Sequence, residues 1–138
     1  DGCQDCAPGR AFNKASGECQ VCSPGSFQNS TGASECIVAS PGWYVNDTDD
    51  PIAALLCPQG HECPEAGMVV AHRCPAGSFT SERGLSACLL CSKGSFQRQR
   101  GSTSCQSCES VLAGSTTRNI ASTAASQCIC PPASFRPE

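Results

Sequence analysis

The segment Cys74–Cys108, CPAGSFTSERGLSACLLCSKGSFQRQRGSTSCQSC, contains one short motif twice in succession. Each copy opens with a cysteine that is followed by glycine after three residues and by phenylalanine after five. A second glycine comes ten residues after the opening cysteine, and a closing cysteine comes fourteen residues after it. The next copy opens three residues later, so the period is 17 residues and a tandem array is predicted.

The same motif extends over most of the chain. Its opening positions define seven repeats, numbered 1 to 7 in chain order, at Cys6, Cys22, Ala39, Cys57, Cys74, Cys91 and Cys108. The predicted organisation is regular repeats in 1–38, a degenerate repeat lacking its disulfide in 39–56, a variant repeat in 57–73, two regular repeats in 74–107, a long Ser/Thr-rich repeat in 108–129 and the start of another in 130–138.

Repeat 3 indicates which cysteines bond to each other. Its opening position is Ala39 and its closing position is Ala54, so both cysteines are missing from one repeat. This joint loss is expected if opening and closing cysteines are partners, because losing one alone would leave a free thiol. In repeat 4, Ala71 occupies the closing position and an extra Cys63 is available to Cys57. The predicted bridges are Cys6–Cys19, Cys22–Cys36, Cys57–Cys63, Cys74–Cys88, Cys91–Cys105 and Cys108–Cys128.

Two cysteines are left over by this pairing. Cys3 stands at a closing position and Cys130 at an opening position. Both are therefore expected to be unpaired within the segment and to bond to residues of adjoining repeats.

The composition explains why the array needs covalent support. The chain has 138 residues, of which 14 are cysteine and only 5% are aromatic, too few large apolar side chains for a conventional core. The fold class predicted is a small disulfide-rich protein, an elongated array of about 17-residue loops with short β-hairpins and little or no helix, in which each repeat contacts mainly its neighbours. The aromatic residues that follow the turns are expected to cover the bridges: Phe12, Phe27, Tyr44, Phe79 and Phe96.

Charge and hydropathy exclude two classes of partner. A net charge of −3 gives no basic surface for nucleic acid, and no apolar run approaches the length of a membrane span. In repeat 7 the Ser/Thr/Ala-rich stretch 115–126 is expected to form a loose loop.

Zinc is the main alternative to disulfides. Cys3, Cys6, Cys19 and Cys22 have zinc-finger spacing, and so have Cys88, Cys91, Cys105 and Cys108. However, the C-x-x-C pairs arise wherever one repeat ends and the next begins, and the joint loss at repeat 3 would damage two zinc sites. Two N-glycosylation sequons also favour the secretory pathway: Asn29-Ser30-Thr31 and Asn46-Asp47-Thr48. Disulfides are therefore predicted, with no cofactor or metal and with N-linked glycans.

Other polar groups are expected to be solvated rather than functional. His61 and His72 lie near cysteines, which makes a metal site conceivable, and the cluster Asp47, Asp49 and Asp50 has the charge to hold calcium. Neither set has a recognisable ligand spacing. No nucleophile motif or phosphate-binding loop is present, so no catalytic residue is predicted.

The motif resembles the ephrin-receptor-like cysteine-rich repeats, which belong with the wider growth-factor-receptor and TNF-receptor-like modules. The form C-x-P-G-[TS]-[FY], then G, then C-x-x-C, is matched from Cys6 to Cys36 and from Cys74 to Cys108, and Cys57–Cys63 (CPQGHEC) resembles a variant of it. The resemblance implies a disulfide-linked extracellular array without enzyme activity and without site residues beyond the cysteines.

The function predicted is a structural or adhesive segment of a secreted or cell-surface glycoprotein. In this interpretation the chain is a disulfide-stapled rod, spacer or filament segment that joins copies of itself or other extracellular proteins, and Trp43 is a candidate for lateral assembly. The first alternative is a ligand-binding receptor ectodomain, to whose surface Arg83, Arg98 and Arg100 would contribute. An intracellular zinc scaffold is the second alternative.

Overall fold

The computed structural model describes residues 5–131. This part of the chain forms two-stranded antiparallel hairpins and two short 3-10 turns, which confirms the predicted small disulfide-rich fold of short β-hairpins with little helix. The hairpins are β1 (Arg10–Asn13) with β2 (Glu18–Val21), β3 (Ser26–Phe27) with β4 (Ile37–Val38), β5 (Trp43–Tyr44) with β6 (Leu55–Leu56), β7 (His61–Glu62) with β8 (His72–Arg73), β9 (Ser78–Phe79) with β10 (Leu89–Leu90), and β11 (Ser95–Phe96) with β12 (Gln106–Ser107).

A tight turn begins each hairpin because of the residues that follow the opening position. In repeat 2, the Ser26 amide donates to the Ser23 carbonyl over 3.0 Å, and Gly25 between them has φ +84°. Pro24 precedes that glycine, and the Pro-Gly order is the one a type II turn requires, since Pro presets φ and Gly accepts a positive φ. The turn directs the Ser-Phe dipeptide into the first strand.

The register is the same in the regular repeats. Phe27 pairs with Ile37 in repeat 2, and Phe79 pairs with Leu89 in repeat 5. Each hairpin is joined to the next repeat by the backbone: the Cys91 amide, for example, donates to the Gly77 carbonyl over 2.9 Å. The same bond, at 2.9 Å, links Ala39 to Gly25, although Ala39 has no bridge. The joint between repeats therefore does not depend on the cysteine at the opening position.

The residues fall into two compact units. Within the described residues, the first consists of 5–57, Cys63–Ala71 and Gly84–Ser86. Its buried cluster contains the bridge partners Cys57 and Cys63 together with Met68, and Tyr44 packs against it. Val45, next to Tyr44, is also buried, and its amide donates to the Met68 carbonyl over 2.9 Å.

The second compact unit consists, as far as the structure describes it, of Pro58–Glu62, His72–Arg83 and 87–131. Its buried cluster is Phe96 with the bridge partners Cys108 and Cys128. Phe96 belongs to repeat 6 and the bridge to repeat 7, just as Tyr44 belongs to repeat 3 and its bridge to repeat 4. At these two positions, the aromatic side chain covers the bridge of the following repeat.

Contacts also reach beyond neighbouring repeats. The turn glycine of one repeat lies against the backbone at the inner glycine position of the repeat two further on, which the sequence does not predict. Within the first compact unit these pairs are Gly25 with Gly67 and Gly42 with Gly84; within the second they are Gly60 with Gly101 and Gly77 with Ala121.

The expectation of a loose loop in repeat 7 is wrong. Ser115, Thr117 and Ser122 are buried, and each hydroxyl is hydrogen-bonded to a backbone carbonyl. The Thr117 hydroxyl donates to Asn119 over 2.8 Å and accepts from the Gly94 amide over 3.1 Å. Hydroxyl groups satisfied in this way can be buried at little cost, so a Ser/Thr-rich composition is compatible with an ordered loop.

Candidate functional site

Six disulfides are the main chemical feature of the described chain. The structure brings together each pair of cysteines that the repeat predicts, with Cα–Cα distances of 5.6 to 6.0 Å, in the usual range for a disulfide. Five of the bridges close loops of 13 to 20 residues, and Cys57–Cys63 closes one of 6. Cys3 lies outside the described residues, and Cys130 has no disulfide partner among residues 5–131.

A second set of backbone hydrogen bonds ties repeats 2, 4, 5, 6 and 7 to the repeat before each of them. In these repeats, the amide at the inner glycine position donates to the carbonyl of the opening residue of the preceding repeat over 2.7 to 2.8 Å. The donors and acceptors are Gly32 with Cys6, Gly67 with Ala39, Gly84 with Cys57, Gly101 with Cys74, and Ala121 with Cys91. Ala121 has φ +62°, the left-handed conformation that glycine adopts at this position in repeats 2, 4, 5 and 6.

The second strand of several hairpins exposes apolar residues on both of its faces. A strand in a layered sheet normally alternates buried and exposed residues, but here both residues between the closing and the next opening position are exposed. Leu89 and Leu90 are 52% and 55% exposed. The apolar strand pairs, defined as the residues at these two positions, are Ile37-Val38, Leu55-Leu56 and Leu89-Leu90, whereas His72-Arg73 and Gln106-Ser107 are the polar counterparts.

Two grooves lie within the first compact unit. A groove of about 750 Å³ lies along the hairpins of repeats 1 and 2 and is lined by Phe12, Val21, Glu35 and their neighbours. A smaller groove of about 290 Å³ has an uncharged lining that contains Phe27, Asn29, Ile37, Val38, Ser40, Trp43, Ala53 and Ala54. We call the second one the Trp43 groove.

The polar candidates from the sequence occupy surface positions. His61 pairs with Arg73 and His72 pairs with Glu62 across β7 and β8, so neither register pair joins the two histidines. Among residues 5–131, no group of three or more His, Cys, Asp or Glu side chains is arranged to hold a metal ion.

The acidic cluster and the arginines form no recognisable site. The Asp47 carboxylate accepts from the backbone amides of Asp49 and Asp50, both over 3.0 Å, which stabilises the loop itself. Arg83, Arg98 and Arg100 are exposed, as are the sequon residues Asn29 and Asn46.

The structure defines the class of protein as a small disulfide-linked array of hairpin repeats. No helix in the described range 5–131 has the length and hydropathy to cross a membrane. Residues 77–128 match the family model described as "Tyrosine-protein kinase ephrin type A/B receptor-like", so this part of the chain is similar to the ephrin-receptor-like cysteine-rich repeats. That family is a non-catalytic, ectodomain type of module, which agrees with the disulfide pairing. No curated protein sequence matches the chain significantly.

Proposed function

We propose that the chain is a non-catalytic segment of a secreted or cell-surface glycoprotein that mediates protein–protein assembly as a disulfide-stapled spacer. The observation that carries this proposal is the combination of one bridge per regular repeat with backbone hydrogen bonds across each joint. Bridges limit how far each loop can extend, and the joint bonds hold consecutive hairpins in register. Such a segment fixes the distance and the relative orientation of the domains that it joins.

The contact surface in this proposal is provided by the apolar strand pairs. Exposed aliphatic residues on a hairpin edge favour association with another protein surface, because association removes their apolar area from water. The same pairs present unpaired strand edges, a second feature that suits addition of a partner chain. The partners proposed are other extracellular proteins or copies of this chain.

A ligand-binding receptor ectodomain is the second candidate function. The groove of about 750 Å³ along repeats 1 and 2 favours it, since its lining combines aromatic, aliphatic and charged side chains. In that case binding would depend on residues of the groove, such as Phe12 and Glu35, rather than on the apolar strand pairs.

The test uses the chain secreted from eukaryotic cells and purified without reductant. Thiols are alkylated under denaturing conditions, zinc is measured on the same sample, and the bridges are located by peptide mapping. We expect the six opening-to-closing bridges and no zinc. Bound zinc with most thiols open to alkylation would contradict the proposal.

A binding measurement separates the two candidate functions. A substitution in the apolar strand pairs that abolishes association, while Phe12→Ala leaves it intact, would support the assembly function. The reverse result would favour the receptor function.

A further inference from the structure

The Trp43 groove lies where repeat 3 lacks its disulfide. Ala54, which replaces the closing cysteine, is part of its lining, and Trp43 forms one wall with 39% of its surface exposed. Tyr44 and Phe96 cover the bridge of the repeat that follows theirs, whereas Phe27, at the same position in repeat 2, lines this groove and has no bridge in repeat 3 to cover. An exposed apolar groove of this kind favours an occupant.

The sequon residue Asn29 lines the same groove. Its side-chain oxygen accepts from the Ser30 hydroxyl over 3.3 Å, and the residue is exposed, so its amide nitrogen is available for glycosylation. The neighbouring Gln28 is buried and fixes the segment, because its amide group donates to Glu35 over 2.8 Å and accepts from the Ser30 amide over 3.0 Å. The sequon is therefore held at the groove by an ordered backbone.

Asn46 provides an internal comparison. Both asparagines stand seven residues after the opening position of their repeats, Cys22 and Ala39. Asn46 is exposed, but it lines neither the Trp43 groove nor the larger groove of repeats 1 and 2. A glycan there would project from the surface without an apolar groove beside it.

We infer that an N-linked glycan on Asn29 covers the Trp43 groove, with its first N-acetylglucosamine packed against the Trp43 ring. The inference rests on the secretory location in the proposed function. A pyranose ring has an apolar C–H face and N-acetylglucosamine adds a methyl group, so both can be removed from water against an aromatic surface. The volume of about 290 Å³ suits a single sugar ring, and the uncharged lining suits a neutral sugar. The glycan therefore shields the apolar side chains that line the groove in repeat 3, the repeat that lacks its bridge.

Trp43 is the chain's only tryptophan, so its fluorescence reports on this groove alone. The experiment compares secreted wild-type chain with Thr31→Ala, which destroys the sequon and leaves Asn29 in place. Ser30→Ala is the matched control, because it removes the neighbouring hydroxyl and keeps the sequon. Asn46→Gln removes the other glycan.

We expect peptide mapping to find a glycan on Asn29 in the wild type, in Ser30→Ala and in Asn46→Gln. Acrylamide quenching of Trp43 should be roughly twofold stronger in Thr31→Ala, since a residue already partly buried loses most of its remaining exposure under a sugar ring. Enzymatic trimming to one N-acetylglucosamine should keep the wild-type quenching, and complete removal should raise it to the Thr31→Ala value.

Several outcomes would overturn the inference. An unmodified Asn29, or equal quenching with and without its glycan, shows that the sugar does not cover the groove. Trp43 quenching that depends on protein concentration and not on the glycan identifies a second copy as the occupant. If Asn46 carries a glycan and the bridges form while Asn29 is bare, only this inference fails; open thiols and no glycan at either site mean that the proposed function fails as well.

Discussion

Gly42 faces Gly84 so closely that a β-carbon on Gly42 would stand 2.5 Å from the Gly84 carbonyl oxygen. Gly84 is at the inner glycine position of repeat 5 and Gly42 is the turn glycine of repeat 3, and neither of them belongs to a strand. The contact requires a residue without a side chain at position 42, because the backbone carbonyl of Gly84 occupies the space that a β-carbon would need. The glycine of the turn therefore has two tasks, a positive φ for its own hairpin and a close approach to a distant one.

Gly42→Ala should destabilise the chain more than an ordinary glycine substitution. Alanine at φ +90° costs about 1–2 kcal/mol through its backbone alone, and the steric conflict with Gly84 adds roughly 1–3 kcal/mol. Gly17→Ala is the control, because Gly17 also has a positive φ, +73°, but a β-carbon there would meet nothing within 4 Å. The measurement is the free energy of unfolding by denaturant without reductant; equal losses in the two variants would contradict the close contact.

Phe96→Ala should weaken the cluster around the repeat 7 bridge. Phe96 is only 2% exposed and packs with Cys108 and Cys128, so its loss leaves a cavity that costs about 3–5 kcal/mol. The bridge also becomes accessible, so dithiothreitol should reduce Cys108–Cys128 faster than in the wild type. Phe12→Ala, at a site 43% exposed, should change neither stability nor reduction rate appreciably. Unchanged reduction kinetics of Phe96→Ala would show that the ring does not protect the bridge.

Ala39→Cys combined with Ala54→Cys should restore the bridge that repeat 3 lacks. The register Trp43–Leu56 in repeat 3 is equivalent to Ser78–Leu90 in repeat 5, where Cys74–Cys88 closes the loop, and Ala39 is buried like the opening cysteines. A bridge over about 15 residues adds roughly 3 kcal/mol in the chain-entropy model. Peptide mapping and thermal unfolding measure the outcome. Each single variant should carry one alkylatable thiol more than the wild type; two more than the wild type in the double variant would mean that the two loops are not equivalent.

Leu89→Gln combined with Leu90→Ser should reduce association and leave the fold unchanged. The pair is exposed, and the substitution copies Gln106-Ser107, which occupies the same position in repeat 6. The unfolding free energy should change by no more than about 0.5 kcal/mol, as is usual at exposed sites. Sedimentation velocity should show weaker self-association or weaker binding of a partner. The exposed substitution Lys93→Gln serves as the surface control, and loss of folding in the double variant would indicate that the leucines are structural.

The bridges and hairpins follow from local sequence because each regular loop is closed within its own repeat. Cysteine spacing, the turn glycines and the paired loss at Ala39 and Ala54 are all visible in the chain. The six cysteine pairs in the structure are the pairs that this spacing predicts, and Cys57–Cys63 follows the same logic with a shorter loop.

The contacts between distant repeats were not predictable in the same way. The period identifies Gly42 and Gly84 as repeat positions, but it gives no rotation between repeats, and the rotation decides which backbones meet. Composition was misleading at Thr117, because its hydroxyl satisfies the Gly94 amide and becomes buried. It was also uninformative about Leu89 and Leu90, since small two-stranded hairpins have no opposing layer to cover them.

Consecutive repeats are joined by backbone hydrogen bonds, which do not depend on the side chains exposed on the second strand of each hairpin. The amides and carbonyls of opening residues and turn glycines join consecutive repeats, and within residues 5–131 the two residues between closing and opening positions take no part in these backbone hydrogen bonds. Their identities already range from Ile37-Val38 to His72-Arg73 within this one chain, with the same hairpin pairing in both repeats. Under the proposed assembly function, mutation could therefore change the contact surface one repeat at a time, while the hairpin pairing and the backbone joints stay the same.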